Sequence, residues 1–415
     1  LTLIEGRDLL SAARVGATEI SRELGGLGPH KLHAAQLAAD ALHRALGAAA
    51  RHSVNMSQTP GRTLVAMSGG VDSAVAATLA VKDGLQPVAV TLELWSDPEN
   101  DGEASCCSAQ AVRSAREVAH SLGMAHLSID LREEFRAGVV EPWLEDHTAG
   151  LTPNPCVRCN GSVRLDAMLA LADRLGCQTL TTGHYARTHT EDGESPQPLL
   201  RVAAEEAKDQ SYVLAALSGS SLARLRFPLG GMRKPQVRQL AHEAGLAVAT
   251  KRDSQDLCFL AGVGQRAFLA RHGGHGGHPG EILDSDGRRV GEHDGQHAFT
   301  VGQRRGLGLS GQEDPLYVLD TDAVANTVTV GSREQLLSDT IAIRGVTLHR
   351  PGTRIDAIKV RSRGRRLACH PIDGLEPGCH EHLTLELIQP RERTAPGQHA
   401  CLYAGELIIG HGTIA

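Results

Sequence analysis

Three groups of residues in this chain have the types and spacing that chemistry needs. The first is Ser68-Gly69-Gly70-Val71-Asp72-Ser73, which follows a short apolar run and opens an alanine-rich stretch. A glycine-rich turn between a strand and a helix lets backbone N–H groups approach an anion, and the helix N-terminus adds positive potential. No lysine follows the glycines directly, so this is not the Gly-Lys-Ser/Thr nucleotide loop, and the spacing also fails Gly-x-Gly-x-x-Gly. The second group is cysteine. There are nine, an odd and irregularly spaced set, which in a reducing compartment favours catalysis or metal binding over a disulfide framework. Cys156 and Cys159 are separated by two residues, and Cys258 stands far downstream. The third is histidine, densest at His272, His275 and His278, whose glycine-rich setting reads as a loop and not as a metal site.

The elements that must position these groups follow from the apolar pattern. TLVAM, ending at Met67, has the length of a buried strand and runs straight into the serine-glycine turn. AVAATLAVKDG is a helix stopped by Gly84, PVAVTLEL a second strand, residues 109–123 a second helix and HLSID a third strand. A helix over Val163–Gly176 and the strand QTLTTGHYA continue the alternation. Strands alternating with helices of this length predict a doubly wound parallel sheet with helices on both faces, here over residues 62–222. KPQVRQLAHEAGL reads as one more amphipathic helix. Beyond it, short alternating segments bounded by Gly, Pro, Asn and Asp predict a small central domain over 223–337 and a C-terminal β-barrel over 338–415. Residues 1–50 read as helices broken around Gly25-Gly26, and the polar stretch 51–61 reads as a linker.

Composition sets bounds on function. The chain of 415 residues is 41% hydrophobic and 22% charged, ordinary globular values, and it contains no apolar run long enough to span a bilayer. Without a basic-then-apolar leader pattern, a cytoplasmic enzyme is expected. The net charge of −6 argues against a generic nucleic-acid binder, DNA included, but allows a local basic face. Aromatic residues are scarce, at 3%, alongside abundant Ala, Gly and Arg, which reads as compositional bias.

SGGVDS resembles the pyrophosphate loop of the N-type ATP pyrophosphatases, enzymes that cut ATP between the α and β phosphates and adenylate a carbonyl oxygen. The resemblance implies that Ser68, Gly69, Gly70 and Ser73 hold pyrophosphate and that Asp72 helps hold Mg²⁺. Within that group, T-P-N-P-C-V-R-C-N at 152–160 and D-S-Q-D-L-C-F-L at 253–260 resemble the tRNA-specific 2-thiouridylases. Thr182-Gly183-His184-Tyr185-Ala186-Arg187, Lys208-Asp209-Gln210-Ser211-Tyr212, Phe227-Pro228-Leu229-Gly230 and Gly302-Gln303-Arg304-Arg305-Gly306-Leu307-Gly308 are family-like blocks in family order. The likeness covers about 62 to 415.

What the resemblance implies is specific. ATP adenylates O2 of the wobble uridine of tRNA, at position 34, and a persulfide delivers sulfur. Cys258 is the persulfide carrier and Cys159 the partner nucleophile, leaving a Cys159–Cys258 disulfide. Ala66, Met67, Ser68, Gly69, Gly70, Val71, Asp72, Ser73, Leu92 and Gly183 line the ATP site. Asn154, Pro155 and Cys156 face the target base, and His184, Lys208, Asp209, Gln210, Arg361, Ser362 and Gln398 touch tRNA. Sulfur comes from a persulfide donor such as a cysteine desulfurase or a relay protein.

Two departures from the family pattern leave alternatives open. Many relatives carry Asp at the position of Cys156. Three thiols, Cys156, Cys159 and Cys258, could then hold a [4Fe–4S] cluster that carries sulfide on its open iron. Cys106-Cys107 opens a helix and has no assigned role. Residues 23–42, from Glu23 to Leu42, resemble the C-terminal end of NifU/IscU-type iron–sulfur scaffolds, with Ala34 where those have Cys directly after Lys-Leu-His. Such a remnant holds no cluster alone; it either docks a sulfur or cluster donor or is an inert helical appendage. Two other readings compete with thiolation. One is an ATP pyrophosphatase acting on a small carboxylate, and the other a non-catalytic iron–sulfur carrier.

Overall fold

The computed structural model describes residues 2–53, 55–96, 108–191, 197–253, 257–273, 277–309 and 314–415. Cys106, Cys107, His275 and the Ser254-Gln255-Asp256 part of the second cysteine motif lie outside them. The first unit is built on five parallel strands in the order β3-β2-β1-β4-β5. These are β1 (Arg62–Met67), β2 (Gln86–Glu93), β3 (Ala125–Asp130), β4 (Thr179–Thr181) and β5 (Leu225–Arg226). Both faces of this sheet are covered, which is why its strands are apolar almost throughout instead of alternating.

The helices that cover it are α1 (Leu32–His52), α2 (Val71–Lys82), α3 (Ala109–Ser121), α4 (Leu165–Arg174) and α5 (Lys234–Glu243). Ala66, Val90, Leu92 and Ile129 pack with Leu165, Met168 and Leu171 of α4 on one face. Val65, Met67 and Ala89 pack with Val75 of α2, Val118 of α3 and Val237 of α5 on the other. The expected doubly wound sheet is present. It extends past the boundary placed at residue 222, because β5 pairs with β4 and α5 packs on α2. A two-residue strand has no periodicity to read, so that edge was invisible in the sequence. The chain reverses direction across the sheet between β1 and β4, and the carboxyl ends of strands at such a point are where ligands bind in open α/β sheets.

The N-terminal segment is a packed layer. Ala35, Ala39, His43, Gly47 and Ala50, spaced by three and four, bury one face of α1. A Cβ at Gly47 would lie 1.9 Å from the Ser128 carbonyl oxygen, so helix and strand touch backbone to backbone there. His43 bridges two elements, with Nδ1 2.7 Å from the His126 carbonyl oxygen and Nε2 3.0 Å from that of Val15. Arg44 grips Glu93 in a bidentate pair, and Asp40 accepts from Arg113 and pairs with Arg116. The stretch expected as a linker is also tied down: α1 runs to His52, and the N–H groups of Met56 and Thr59 donate to Arg174 and Gly176.

Downstream, β6 (Gly280–Leu283), β7 (Arg289–His293), β8 (Tyr317–Asp322) and β9 (Thr327–Gly331) form a four-stranded sheet in the order β8-β9-β6-β7. The last unit contains β10 (Leu337–Leu348), β11 (Ala357–Lys359), β12 (Gly378–Glu392), β13 (His399–Ala404) and β14 (Leu407–Ile414), around a core that includes Ile343, Leu385, Leu402 and Ile409. Its order is Leu367–Ala368, β11, β13, β14, β10, β12, and the bridge Cys369↔Leu387 brings the two ends together as a barrel. Leu199–Arg201 of the first unit pairs with β14, which fastens the barrel to the parallel-sheet unit.

Candidate active site

The loop between β1 and α2 is shaped by its own residues. Ser73 Oγ accepts from the Ser68 N–H and donates to the Gly70 carbonyl, both at 3.1 Å, which closes the turn. Gly69 adopts φ +65°, and a Cβ there would sit 2.3 Å from the Ala111 carbonyl oxygen of α3. Glycine is required on both counts. Gly183, distant in sequence, runs against the first turn of α2: its Cβ would lie 2.8 Å from the Asp72 carbonyl carbon and the Ser73 nitrogen. The structure therefore brings Gly183 against the loop. Ala66 and Leu92, nearly buried at the ends of β1 and β2, belong to one apolar cluster beside it. Leu92 also lines a cavity of 570 Å³ whose rim includes Arg51 and His52 of α1.

Asp72 sits at the centre of a network that the sequence did not reveal. Tyr185 donates its hydroxyl to Asp72 at 2.8 Å, and Lys234, only 9% exposed, reaches both Asp72 oxygens at 2.7 and 2.8 Å. Lys234 also pairs with Asp253 at 2.8 Å, which takes Lys208 and Arg238 as well. Burial raises the Asp253 pKa, but the hydrogen bonds from Lys208 and Lys234 outweigh it and hold the carboxylate ionised below its usual range. Burial, then the Asp72 charge, pushes the Tyr185 phenol up, so it stays a donor. Lys251 donates to the Gly69 carbonyl at 3.0 Å. Two lysines, Lys234 and Lys251, thus contact a loop whose own sequence has none, and Lys208 shares Asp253 with Lys234. A nucleotide triphosphate fits this setting of cations and loop amides. Mg²⁺ fits too: Asp72 is one-third exposed, and Mg²⁺ typically takes one or two carboxylates together with substrate phosphates.

Asn154 caps the helix Pro155–Arg158, its side chain accepting from the Cys156 N–H at 3.1 Å, with Pro155 at the first helical position. The helix then widens into a π turn over Cys159–Arg164, a distortion frequent at functional sites. Cys159 is 9% exposed and shares the Ala66–Leu92 apolar cluster; Cys258 packs partly buried against the same cluster. Phe259, next to Cys258, stacks edge-on with Trp143 at 5.3 Å and with Phe268 at 5.2 Å, and Trp95 and Phe135 complete the group. Both tryptophans and three of the five phenylalanines are gathered under this thiol, so the scarce aromatic residues are concentrated where a rigid floor is needed. Among the described residues no three Cys, His, Asp or Glu side chains are placed to hold a metal ion, and the ligand set Cys156, Cys159 and Cys258 for an iron–sulfur cluster does not form.

The residues expected to touch tRNA divide into inward and outward sets. The Asp209 side chain is 2% exposed, accepts from the Ala203 N–H and the Ser211 hydroxyl, and faces Lys359 of the barrel at 3.7 Å. A carboxylate this buried joins two domains. Gln210 Oε1 accepts from the Tyr185 N–H, and Gln398 Nε2 donates to the Thr152 carbonyl at the head of the Cys156–Cys159 segment. Both are braces. His184 Nδ1 lies 2.9 Å from Thr182 Oγ1, and burial pushes its pKa down to about 3, so it is neutral. Lys208 is engaged with Asp253. Arg361 is exposed on a loop of the barrel, with Ser362 beside it partly buried.

A parallel sheet whose first strand runs into a serine-glycine loop, with lysines around it and two thiols at the same apolar cluster, defines an ATP-pyrophosphatase type of α/β enzyme. The comparisons narrow this. Family profiles described as tRNA methyl transferase HUP domain, tRNA methyl transferase PRC-barrel domain and Aminomethyltransferase beta-barrel domain match residues 61–262, 266–332 and 348–414. NifU-like N terminal domain matches residues 1–54. The tRNA-specific 2-thiouridylase MnmA of Magnetococcus marinus is 39% identical over 358 residues, 86% of this chain and 99% of that protein. Its namesakes from Acidithiobacillus ferrooxidans (40% over 359 residues, 85% and 98%) and Beutenbergia cavernae (42% over 363 residues, 85% and 94%) are similarly related. A solved 4-thiouridine synthetase–RNA complex with bound ATP aligns at 19% identity and TM-score 0.32, covering 50% of this chain and 47% of that one, too distant to carry weight. The chain belongs to the tRNA-specific 2-thiouridylase MnmA family.

Proposed function

We propose that this protein converts the wobble uridine of tRNA to 2-thiouridine, using ATP, Mg²⁺ and sulfur delivered as a protein persulfide. The observation that carries the reading is the continuous core: Ala66 and Leu92 near the ends of β1 and β2 and Cys159 belong to one hydrophobic cluster, and Cys258 packs against that cluster, although they come from four separate parts of the chain. Uridine O2 attacks the α-phosphorus and pyrophosphate leaves into the loop at Ser68–Ser73, whose amides and neighbouring Lys234 and Lys251 offset its charge. The terminal sulfur of a persulfide on Cys258 then bonds to C2, and AMP departs with the former carbonyl oxygen. The Cys159 thiolate attacks Cys258 Sγ and breaks the S–S bond. The electron pair stays on the transferred sulfur as the thiocarbonyl forms, and a Cys159–Cys258 disulfide remains for an external thiol to reduce. Mg²⁺, held by Asp72 and the phosphates, would supply charge neutralisation at the departing pyrophosphate.

The profile descriptions mention methyl transfer, whereas the curated relatives are named for thiolation. The loop and the paired thiols have a use in the second chemistry and none in the first. ATP–pyrophosphate exchange tests the proposal: it should require a tRNA bearing a wobble uridine. Exchange that runs equally well without RNA would point to a small carboxylate substrate instead.

A further inference from the structure

The NifU-like match ends at residue 54, before the profiles of the enzyme body begin at 61, yet the first segment does not stand apart. β3 is the last strand of the parallel sheet, so its outer side has no strand to pair with. The outward backbone groups fall at His126, Ser128 and Asp130, two residues apart, and the N-terminal segment meets all three. The His126 N–H donates to the Ala13 carbonyl at 3.0 Å, and its own carbonyl oxygen lies 2.7 Å from His43 Nδ1. Gly47 lies against the Ser128 carbonyl, and Arg51 donates to the Asp130 carbonyl at 2.6 Å. α1 also grips both sides of that edge: Asp40 pairs with Arg113 and Arg116 of α3, while Ala50 joins the apolar cluster that contains α4.

The same helix reaches the carboxyl end of β2. Glu93 is the last residue of β2 and directly follows Leu92, the residue expected to line the ATP site. Its side chain is 8% exposed, and Arg44 Nε and Nη2 each donate to one of its oxygens at 2.8 Å. Arg132, whose charge also reaches Glu93, is itself paired with Asp130. A buried carboxylate at the end of the sheet where a polyphosphate binds is unfavourable twice over: it has lost its water, and it repels the ligand. A guanidinium fork answers both. We propose that the N-terminal segment is a working part of the nucleotide site. It closes the open edge of β3, and Arg44 is a positioning residue that neutralises Glu93 and sets the end of β2 for ATP. The segment then needs neither a cluster nor a docked donor to have a use. The inference rests on the thiolation reading above, which supplies ATP as the ligand.

Its test is the binding of α,β-methylene-ATP with Mg²⁺ by the full-length protein, measured by calorimetry, beside tRNA binding measured by fluorescence anisotropy. R44A should weaken binding of the analogue about tenfold, the scale of one uncompensated charge roughly 10 Å from another at an effective dielectric of about 20. Its Kd for tRNA should stay within about twofold of wild type. R44A/E93Q should restore analogue binding to within about twofold, since no unpaired charge is left, a repair that lost helix packing would not allow. R44K, a point charge that cannot hold both oxygens, should weaken the analogue about two- to fivefold and serves where R44A does not fold. Wild-type Kd for the analogue in R44A, or in R44K if R44A does not fold, would overturn the inference and leave the thiolation reading in place. Weakening that E93Q fails to repair would also overturn it, placing Arg44 in packing alone. A wild-type protein that binds no ATP analogue would overturn both.

Discussion

Gly183→Ala is the substitution whose consequence can be worked most directly from the structure. The added Cβ would lie 2.8 Å from the Asp72 carbonyl carbon and the Ser73 nitrogen, and 3.0 Å from the Asp72 carbonyl oxygen. All three are backbone atoms of α2, so no side chain can turn aside. Ordinary contact begins near 3.4 Å, and the two segments must separate by roughly 0.5 Å or more in a close-packed interior that transmits such strain. Overpacking of this kind is worth about 1–3 kcal/mol, a fall in Tm of about 2–10 °C for a unit of this size. The effect on chemistry should be larger, because the displaced turn carries Asp72 and Ser73. Misplacement approaching 1 Å at a positioning site lowers rates by up to about 100-fold. G183A should therefore show kcat/KM for ATP reduced about 10- to 100-fold in a steady-state thiolation assay, with KM for tRNA little changed. Wild-type kcat/KM for ATP in G183A would show that Gly183 does not hold the phosphate loop, and a lowered Tm alone would restrict its role to packing.

Lys234→Met leaves Asp72 and Asp253 facing each other without the buried cation between them. Loss of about 3 kcal/mol of stability and at least about a 100-fold fall in ATP-dependent activity are expected, read by denaturant unfolding and pyrophosphate release. Cys159→Ser should stop the reaction after C2 is attacked. It would trap a protein–tRNA conjugate through the Cys258 persulfide sulfur, visible on a denaturing gel and released by added thiol; a conjugate-free C159S that still makes 2-thiouridine would remove Cys159 from the mechanism. Burial, partly opposed by its hydrogen bond to the His126 carbonyl, pushes the His43 pKa down from 6.5 to about 4, and the adjacent buried His126 is lowered as well. Below pH 6.5 the unfolded chain gains a proton that folded His43 refuses, so stability falls as pH drops from 6.5 towards 4, by roughly 3 kcal/mol from His43 alone. Above pH 6.5 this contribution is flat. Urea midpoints at pH 7.5, 6 and 5 check it, and a His43→Gln variant should lose the His43 share of that dependence while the share from the other buried histidines remains.

Much of the parallel sheet could be read from the sequence because β1, β2 and β3 are apolar runs bounded by glycines and helices. The phosphate loop was equally legible, since its residues are contiguous. What escaped is what the fold assembles from distant positions. Tyr185 and Lys234 meet at Asp72 and Asp253 joins through Lys234, from three segments, and nothing in Arg-Lys-Pro-Gln marks Lys234 as buried between two carboxylates. Asp209, Gln210 and Gln398, which the resemblance implies as tRNA contacts, each make hydrogen bonds inside the protein. Polar side chains near a substrate serve equally well as internal braces, and only burial separates the cases. Likewise the helical reading of residues 1–50 did not show what the alanines and glycine of α1 do; their small size is what lets it lie directly on β3.

The central claim is that Cys258 carries the sulfur that enters tRNA once ATP has adenylated the uridine. The direct measurement follows AMP and 2-thiouridine together in a purified reaction with tRNA, ATP and a ³⁵S-labelled protein persulfide. Wild-type protein should form the two products in equal amounts and carry thiol-releasable label at Cys258 before ATP is added. Cys258→Ser should still release pyrophosphate on adenylating the tRNA, yet take up no label and make no 2-thiouridine. Thiolation by Cys258→Ser at the wild-type rate would contradict the account.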